Sequence, residues 1–252
     1  MKRCTNIIKI KLFFLLLIIS NFGFSQNKTI LIEEENDDSL LIKNFEEHDA
    51  KWAGISVGIN TLLDKGFSRT FENFPEWKNS IYQSIHIEIN LIDYKIPIKN
   101  ELGMITGLGF SMKNYTFSDN WTLHEKLNEK TGSTGYVTLD TNEFNTNKLQ
   151  CIHITTPILL EYTIKQKSWL QVGFILGYKL SSSTTQTIID KNRKSKTTLK
   201  GSFGLNSLSA DAIIRLGHED WGVFGSYNVT SLFNQKTMPY VSPLTVGISF
   251  NY

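Results

Sequence analysis

From residue 51 onward, apolar and polar residues alternate along the chain, which is the side-chain repeat of a β-strand. The alternation is clear in residues 84–92, 102–113, 149–164, 168–180 and 244–252, and it is weaker in 51–61, 203–217 and 220–233. In each segment one face is apolar and the other is small, polar or charged. The sequence therefore predicts eight strands and an all-β fold over residues 51–252.

The connections between these predicted strands alternate between long and short in chain order. Outer-membrane barrels have an even number of antiparallel strands, joined by short periplasmic turns and long external loops, and eight is the smallest common number. The pattern thus predicts an eight-stranded antiparallel transmembrane β-barrel of outer-membrane type, with periplasmic termini.

The N-terminus has the features of an export signal. Four cations, Lys2, Arg3, Lys9 and Lys11, precede an apolar run over residues 12–20, and small residues follow before Gln26. An uncleaved membrane anchor is the alternative, but the run is shorter than the roughly 20 residues that a spanning helix needs. We expect a signal peptide over residues 1–25, and a mobile, acidic periplasmic lead-in over residues 26–50.

Alternation alone does not distinguish an outer-membrane barrel from a soluble barrel with its apolar face inward. The export leader, strands long enough to cross lipid and aromatic residues near strand ends favour the outer-membrane orientation. The aromatic residues expected in the interfacial girdles are Tyr162, Tyr178, Trp221, Phe233, Phe250 and Tyr252. We therefore expect the apolar face to contact lipid and the polar face, rich in Gly and Ser, to line a narrow lumen.

Composition narrows the function classes. The chain has 26 Lys and Arg against 24 Asp and Glu, and the leader contains four of those cations, so removing it changes the formal net charge from +2 to −2. This balance provides no basic face for nucleic acid. Two cysteines exclude a disulfide scaffold.

The predicted polar face carries seven titratable residues: His86, Glu88, Lys113, Glu161, Lys179, Asp211 and Arg215. Buried charges must be paired, so we expect an ion-pair network that plugs the lumen, with Arg215 bridging Glu88, Glu161 or Asp211. A proton path or a gated pore is the alternative. Pro157 interrupts the fourth strand, where it predicts a bulge or an irregular pairing.

Several stretches resemble one family. They are Trp52-Ala53-Gly54-Ile55 with Gly58 and Asn60, residues 106–110 with Asn114, Tyr115 and Phe117, residues 156–162, residues 173–180, and the ending 243–252. Together they resemble the outer-membrane β-barrel domain family of the Bacteroidetes, often called PorT-like. The resemblance implies fold and location rather than activity, although some relatives serve protein secretion.

The C-terminal residues Val246, Ile248, Phe250 and Tyr252 are similar to the signal by which such barrels are recognised for insertion. This similarity implies the barrel-assembly machinery as a partner.

Catalytic chemistry finds little support in the sequence. The five histidines have no zinc-like spacing. A lipid-modifying enzyme would need Ser, His and an acid together, and the second long loop contains His124 near Ser118, Asp119, Glu125 and Ser133. These are ordinary loop residues, so we expect no catalytic site, cofactor or metal.

The third long loop carries a local charge of +4, from Lys191, Arg193, Lys194, Lys196 and Lys200 against Asp190. A cation cluster just above the bilayer could hold lipopolysaccharide phosphates. We take Lys191, Arg193, Lys194 and Lys196 as the predicted contact, and a solvated, mobile loop is the alternative.

We therefore expect an integral outer-membrane barrel with a structural or interaction-platform role. Its expected partners are outer-membrane lipids, lipopolysaccharide and envelope proteins. An accessory subunit of a protein-secretion machine, a lipid-modifying barrel enzyme and a narrow channel are the alternatives.

Overall fold

The computed structural model describes residues 50–71, 74–99, 101–117, 120–128, 132–140, 144–164, 167–190, 193–234 and 238–252. The predicted signal peptide and all of the predicted lead-in except Ala50 lie outside these residues. Eleven strands are described: β1 (Gly54–Leu63), β2 (Ile85–Pro97), β3 (Leu102–Phe117), β4 (Trp121–Asn128), β5 (Gly132–Leu139), β6 (Thr146–Thr163), β7 (Ser168–Asp190), β8 (Arg193–Lys200), β9 (Leu208–His218), β10 (Trp221–Asn228) and β11 (Ser242–Asn251). Two short 3₁₀ helices cover Pro75–Trp77 and Ile81–Gln83. No helix within these ranges is long and apolar enough to cross a membrane.

Eight of the strands form a closed antiparallel ring. The order is β1, β2, β3, β6, β7, β9, β10, β11, and β11 pairs back with β1 from Gly54↔Asn251 to Leu63↔Ser242. The predicted eight-stranded barrel is confirmed. Two further pieces lie outside the ring: β4 pairs with β5 as a hairpin, and β8 pairs with the far end of β7.

Long and short connections alternate around the ring as predicted. The short turns are residues 98–101, 164–167 and 219–220, all at one end of the barrel. Two of the predicted long loops contain strands, because the hairpin lies between β3 and β6, and β8 lies between β7 and β9. Strands β6 and β7 have 18 and 23 residues, so they extend well past the roughly 9 to 11 residues that cross lipid.

The faces of the ring have the orientation expected for lipid. Outward side chains such as Ile214, Val223 and Ile248 are each 56% exposed, whereas the inward Gln171 and Arg215 are 0% and 2% exposed. A soluble barrel would show the reverse. The apolar surface therefore faces outward and the polar surface is the interior.

The outward apolar band ends at one level on adjacent strands. Met112 on β3 pairs with Ile152 on β6, and Ile152 pairs with Ser181 on β7. The next outward residues toward the long loops are polar, namely Lys148 and Gln150 on β6 and Ser183 and Thr185 on β7. On β7 the band runs from Leu170 to Leu180, which is about 25 Å along the barrel axis and matches the band of outer-membrane barrels.

Five of the six residues predicted for the aromatic girdles are exposed, namely Tyr162, Tyr178, Trp221, Phe250 and Tyr252. The prediction for Phe233 is wrong, since its side chain is 4% exposed and lies in an apolar cluster. Strand β10 ends at Asn228, earlier than predicted, and the connection that follows places Phe233 among buried aromatic rings instead of at the lipid surface.

Pro157 interrupts one ladder without changing its register. On one side it pairs with Ile175 in an unbroken run, while on the other side the pairing with β3 skips from Thr106↔Ile158 to Gly109↔Thr155. The irregular pairing is therefore confirmed, and no bulge forms there. The hydroxyl of Thr156 donates to the Gly107 carbonyl at 2.7 Å, which satisfies a group that proline leaves without a backbone donor.

Inward glycines make room for two buried tryptophan rings. A Cβ on Gly107 or Gly109 would come within 3.0 Å of the Trp52 ring. Gly217 and Gly222 pair across β9 and β10, and both lie under the ring of Trp169. The glycine-rich polar face predicted for a narrow lumen thus has a specific use.

We predict that Gly217→Ala lowers the free energy of unfolding by about 1 to 3 kcal/mol, because a Cβ there would lie 2.1 Å from Trp169 Cζ2 and 2.5 Å from a backbone oxygen. The matched control is Gly225→Ala on the outward face, where a Cβ meets nothing within 4 Å. Urea unfolding in lipid vesicles, followed by tryptophan fluorescence, compares the two variants. Equal stability of the two variants would contradict the packing described for Trp169.

Candidate functional site

The lumen near the short turns contains a chain of hydrogen bonds, here called the turn-side network: Lys95, Glu161, Gln171, Arg215 and Asn251. Arg215 donates to Gln171 Oε1 at 2.7 Å and to Asn251 Oδ1 at 3.0 Å. Gln171 Nε2 donates to Glu161 at 2.7 Å, and Lys95 Nζ donates to the other Glu161 oxygen at 2.6 Å. An amide group thus links the guanidinium to a lysine–carboxylate pair.

The predicted role of Arg215 as a direct bridge to Glu88, Glu161 or Asp211 is wrong. Gln171 is the pairing partner of Glu161 on one side and of Arg215 on the other. The two charged residues therefore stand two strand spacings apart, about 10 Å, and the glutamine between them carries the hydrogen bonds. Both nitrogens of the Arg215 fork bond to neutral oxygens, including the Lys51 carbonyl at 3.1 Å.

A second cluster, the loop-side network, consists of His86, Glu88, Lys113, Asp211 and Asn228. Lys113 Nζ lies 2.6 Å from Asp211 Oδ2, and Asn228 donates to the other oxygen of that carboxylate at 2.8 Å. His86 Nε2 lies 3.0 Å from Glu88 Oε1. All five residues are buried. Each carboxylate thus has a cationic or titratable partner, as the plug predicted from the sequence requires.

Lys179 is the one predicted network residue that joins neither cluster. Its Nζ donates to the Leu205 carbonyl at 2.7 Å, and its side chain is half-buried. Lys179 lies directly before Leu180, where β7 carries an extra residue against β6. It therefore supports the backbone that crosses the long-loop end of the barrel.

The sequence-based reasoning missed Lys95 because the register shifts between Asn90 and Ile92. Before the shift even-numbered residues face inward, and after it odd-numbered residues do. Strict alternation continued from residues 84–92 would place Lys95 on the outward face. Two consecutive apolar residues at 91 and 92 were the available signal for this bulge.

An apolar layer completes the filling of the lumen. It consists of Trp52, Ile105, Leu159, Ile175, Ile213 and Phe224. The backbone N–H groups of Trp52 and Ala53 donate to the Asp93 carboxylate at 3.0 and 2.7 Å, which holds the segment before β1 inside the barrel. Every strand of the ring contributes at least one buried inward side chain.

The connections at the long-loop end share a second core, here called the cap. Its centre is four aromatic rings from four segments: Trp77, Phe117, Trp121 and Phe233, with ring centroids 4.6 to 5.8 Å apart where they contact. Further buried members are Leu62, Phe71, Tyr115, Leu123, Leu149, Cys151, Phe203, Leu205 and Val241. The predicted loops therefore fold together instead of remaining separate.

Hydrogen bonds tie the hairpin of β4 and β5 to this cap. Trp121 Nε1 donates to the Glu76 carbonyl at 2.8 Å, and the Trp121 carbonyl accepts from Asn147 at 2.7 Å. The carboxylate of Glu125 accepts the backbone N–H of Ser202. The hairpin is thus joined to two other connections and to strand β6.

The candidate catalytic residues of the second loop do not form a triad in the described part of the chain. Ser118 and Asp119 lie outside the described residues, as does the side chain of Ser133. His124 stacks on Tyr136 and bonds the Thr138 hydroxyl at 2.9 Å, while Glu125 is the neighbouring strand residue and binds Ser202. Nor do the described residues include a group of three His, Cys, Asp or Glu side chains suited to a metal ion.

A different Ser–His contact occurs at the short-turn end. Ser168 Oγ lies 2.9 Å from His218 Nδ1, and the two residues are cross-strand partners with exposed side chains. The adjacent Glu219 pairs with Lys167, and that hydrogen bond lowers the pKa of the Glu219 carboxyl. Among the described residues, no carboxylate pairs with the His218 ring to orient it in the way that a catalytic triad requires, since Glu219 pairs with Lys167 and Asp220 pairs with Lys51.

The remaining predicted site residues are those of the C-terminal insertion signal and of the predicted lipopolysaccharide contact. Val246, Ile248 and Phe250 face outward on β11, and Tyr252 follows them with 72% exposure; their role as an insertion signal stays a prediction. Lys191 lies outside the described residues. Arg193 and Lys194 belong to β8, but their side chains lie outside the described part, whereas Lys196 is exposed.

We predict that Lys113→Met lowers the free energy of unfolding by about 3 to 5 kcal/mol, since it leaves the Asp211 carboxylate buried without its cation. The double variant Lys113→Met, Asp211→Leu should recover most of that loss. Lys167→Met is the control, because its pair with Glu219 is exposed and its loss should leave stability unchanged. Chemical unfolding in vesicles gives the three values. Additive losses in the double variant would contradict a buried pair.

Comparison with known proteins agrees with the geometry. Residues 51–241 match the family model described as outer membrane protein beta-barrel domain. No curated protein matches the chain.

Among solved structures, Ail, the attachment invasion locus protein of Yersinia pestis in complex with the heparin analogue sucrose octasulfate, is similar at 11% identity, with 79% of this chain and 97% of that chain covered and a TM-score of 0.34. The outer membrane phospholipase dimer of Salmonella typhi is similar at 8% identity, covering 82% and 95%, with a TM-score of 0.24. The phospholipase of Escherichia coli gives 8%, 82%, 95% and 0.22. The chain belongs to the outer membrane protein beta-barrel domain family and is an outer-membrane β-barrel protein.

Proposed function

We propose that this protein is a non-catalytic outer-membrane platform, in which a filled barrel holds a folded cap for contact with other envelope proteins. The cap carries this proposal. Four segments that could have been separate loops instead share one aromatic core around Trp77 and Trp121. Side chains that are buried in this way fix the outer surface of the cap, which a binding surface needs.

The proposal places the cap outside the cell and the short turns in the periplasm. Barrels of this type have short periplasmic turns and long external loops, and the connections of this chain alternate in that way. Both termini of the mature chain would then lie in the periplasm. The mature N-terminus would form when a signal peptide over residues 1–25 is cleaved.

The interior of the barrel supports anchoring over transport. The turn-side network, the apolar layer and the loop-side network together fill the lumen, and of their residues only Lys95 is partly exposed. Moving an ion through would require breaking the pairs of Glu161 and Asp211. A barrel held together by such pairs is a rigid support.

The hairpin offers the most prominent contact surface of the cap. Tyr136 is 45% exposed and lies on the side of the hairpin opposite Leu123, which packs into the cap core. Leu139 is 85% exposed at the end of the hairpin, where it pairs with Trp121. Aromatic and aliphatic residues on a fixed support are typical anchors of protein interfaces.

An accessory subunit of an envelope secretion machine is the finer version of the same proposal. The PorT-like resemblance of Trp52-Ala53-Gly54-Ile55 and of residues 156–162 supports it. Such a subunit would use the same cap, so one experiment addresses both versions.

We predict that a photo-crosslinking residue at Leu139 or Tyr136 gives discrete protein adducts in living cells. The matched control is the same residue at Ile248, which lies on the lipid-facing surface and should give no protein adduct. Mass spectrometry of the adducts identifies the partner, and a secretion component would support the finer version.

The platform proposal would be contradicted if the crosslinking residue at Leu139 and at Tyr136 gave no protein adduct, as is expected at Ile248. A changed lipid A composition on deletion of the gene would instead indicate a lipid-modifying enzyme.

A further inference from the structure

Three lysines stand on the outward surface just past the apolar band. Lys148 lies on β6, and Lys196 and Lys200 lie on β8. The band ends at the row of Ile152 and Ser181, so all three lysines are on the long-loop side of that row.

The strand register places the three lysines on one face. Lys148 pairs with Thr185, and Thr185 pairs with Thr198, which lies midway between Lys196 and Lys200. Directly paired residues point to the same side of a sheet, and residues two apart along a strand do as well.

The neighbouring residues show which side this is. Asn147 and Gln186 pair with each other and both donate to the Trp121 carbonyl, so they point toward the cap. Lys148 and Thr185 alternate with them and therefore point away from the barrel axis. We call Lys148, Lys196 and Lys200 the lysine face.

The dimensions of the lysine face suit a phosphorylated headgroup. Strands β6 and β8 are two spacings apart, about 10 Å, and Lys196 and Lys200 are about 13 Å apart along β8. Flexible side chains can bring three ammonium groups to one or two phosphates within such a triangle.

The charge of the lysine face is uncompensated among the described residues. The ion pairs found there use Lys51, Lys95, Lys113 and Lys167, and none uses Lys148, Lys196 or Lys200. Lys196 and Lys200 are exposed, and Lys148 is partly exposed.

We propose that the lysine face binds the phosphate groups of an outer-leaflet glycolipid of the lipopolysaccharide type. Lys200 pairs with Ser183, two residues past the Ser181 row, which is about 7 Å along the strand and lies at headgroup depth. Lys148 and Lys196 are level with Thr185 and Thr187, about 13 and 20 Å past that row, so the face extends outward from the headgroup layer. The lysine face points sideways, away from the barrel axis, and Lys200 at its inner end lies in that layer, which favours a lipid over a soluble polyanion.

This inference goes beyond the platform proposal, because it concerns the outward surface of β6 and β8 past the apolar band and not the cap. It also changes the set predicted from the sequence. Lys148 is added because the register places it on the same face as the β8 lysines, with Thr185 of β7 between them. Lys196 is the member of the four lysines and arginines predicted from the sequence whose side chain the structure describes.

The test compares Lys148→Gln, Lys196→Gln, Lys200→Gln with a control of equal charge change, Lys65→Gln, Lys78→Gln, Lys99→Gln, all at exposed positions elsewhere. Binding of bisphosphorylated lipid A to the delipidated protein in detergent is measured by native mass spectrometry and fluorescence titration. We expect at least tenfold weaker binding for the lysine-face variant, a change within twofold for the control, and weaker binding of dephosphorylated lipid A to the unchanged protein. The mobility shift on boiling confirms that each variant is folded.

Equal binding by the lysine-face variant, or equal binding of dephosphorylated lipid A, would overturn the proposal. Inorganic pyrophosphate that displaces lipid A completely at equal concentration would reassign the face to a free phosphate ligand. Crosslinking at the cap is independent of these results, so failure here leaves the platform standing.

Discussion

The pairing of β1 with β11 is the interaction on which the rest of the structure depends. Lipid offers no hydrogen-bond partners, so every backbone N–H and C=O in the membrane must bond within the protein. Ten register pairs between the first and last strands close the ring and remove its two free edges. Because side chains alternate along each strand, closing the ring with apolar residues outside forces every polar partner residue into one narrow lumen.

The narrow lumen then restricts the charge and the size of the side chains at inward positions. Charges confined there need polar partners, and the structure supplies them in two networks. Lysines and a histidine pair with the carboxylates, and neutral oxygens accept the hydrogen bonds of Arg215. Space is as limiting as charge, since the rings of Trp52 and Trp169 fit only because glycines face them. The interior of the barrel is therefore buried like the core of a globular protein, but many of its side chains are polar or charged.

Beyond the membrane, the chain packs like a soluble protein, with apolar residues buried. Strands β6 and β7 continue past the apolar band, β8 joins them, and aromatic residues from four segments form the apolar core of the cap. The molecule thus has a polar core within lipid and an apolar core beyond it. The surfaces to which we assign functions lie just past the apolar band, at the lysine face, and on the outside of the cap.

The strands, the ring and the orientation of its faces could be predicted because they depend on a period of two and on connection lengths. Features that depend on register could not. The role of Arg215 required knowing that Gln171 stands between it and Glu161, and the inward position of Lys95 required knowing the bulge at residues 90–92.

The cap was missed for a related reason. Trp77 and Trp121 are separate residues in polar stretches, and nothing local indicates that they meet. Conversely, Phe233 fits the girdle pattern only if its strand extends over residues 220–233, whereas β10 ends at Asn228.

The most direct test of a filled, capped barrel is the ionic conductance of the full-length protein in planar bilayers, with an open porin as positive control. The boiling-dependent mobility shift first verifies that the protein is folded. If the paired charges and the apolar layer occupy the lumen, the bilayer that contains the protein shows no conductance steps. Discrete, long-lived conductance steps from the folded protein would contradict a filled lumen and would make the two networks the lining of a channel.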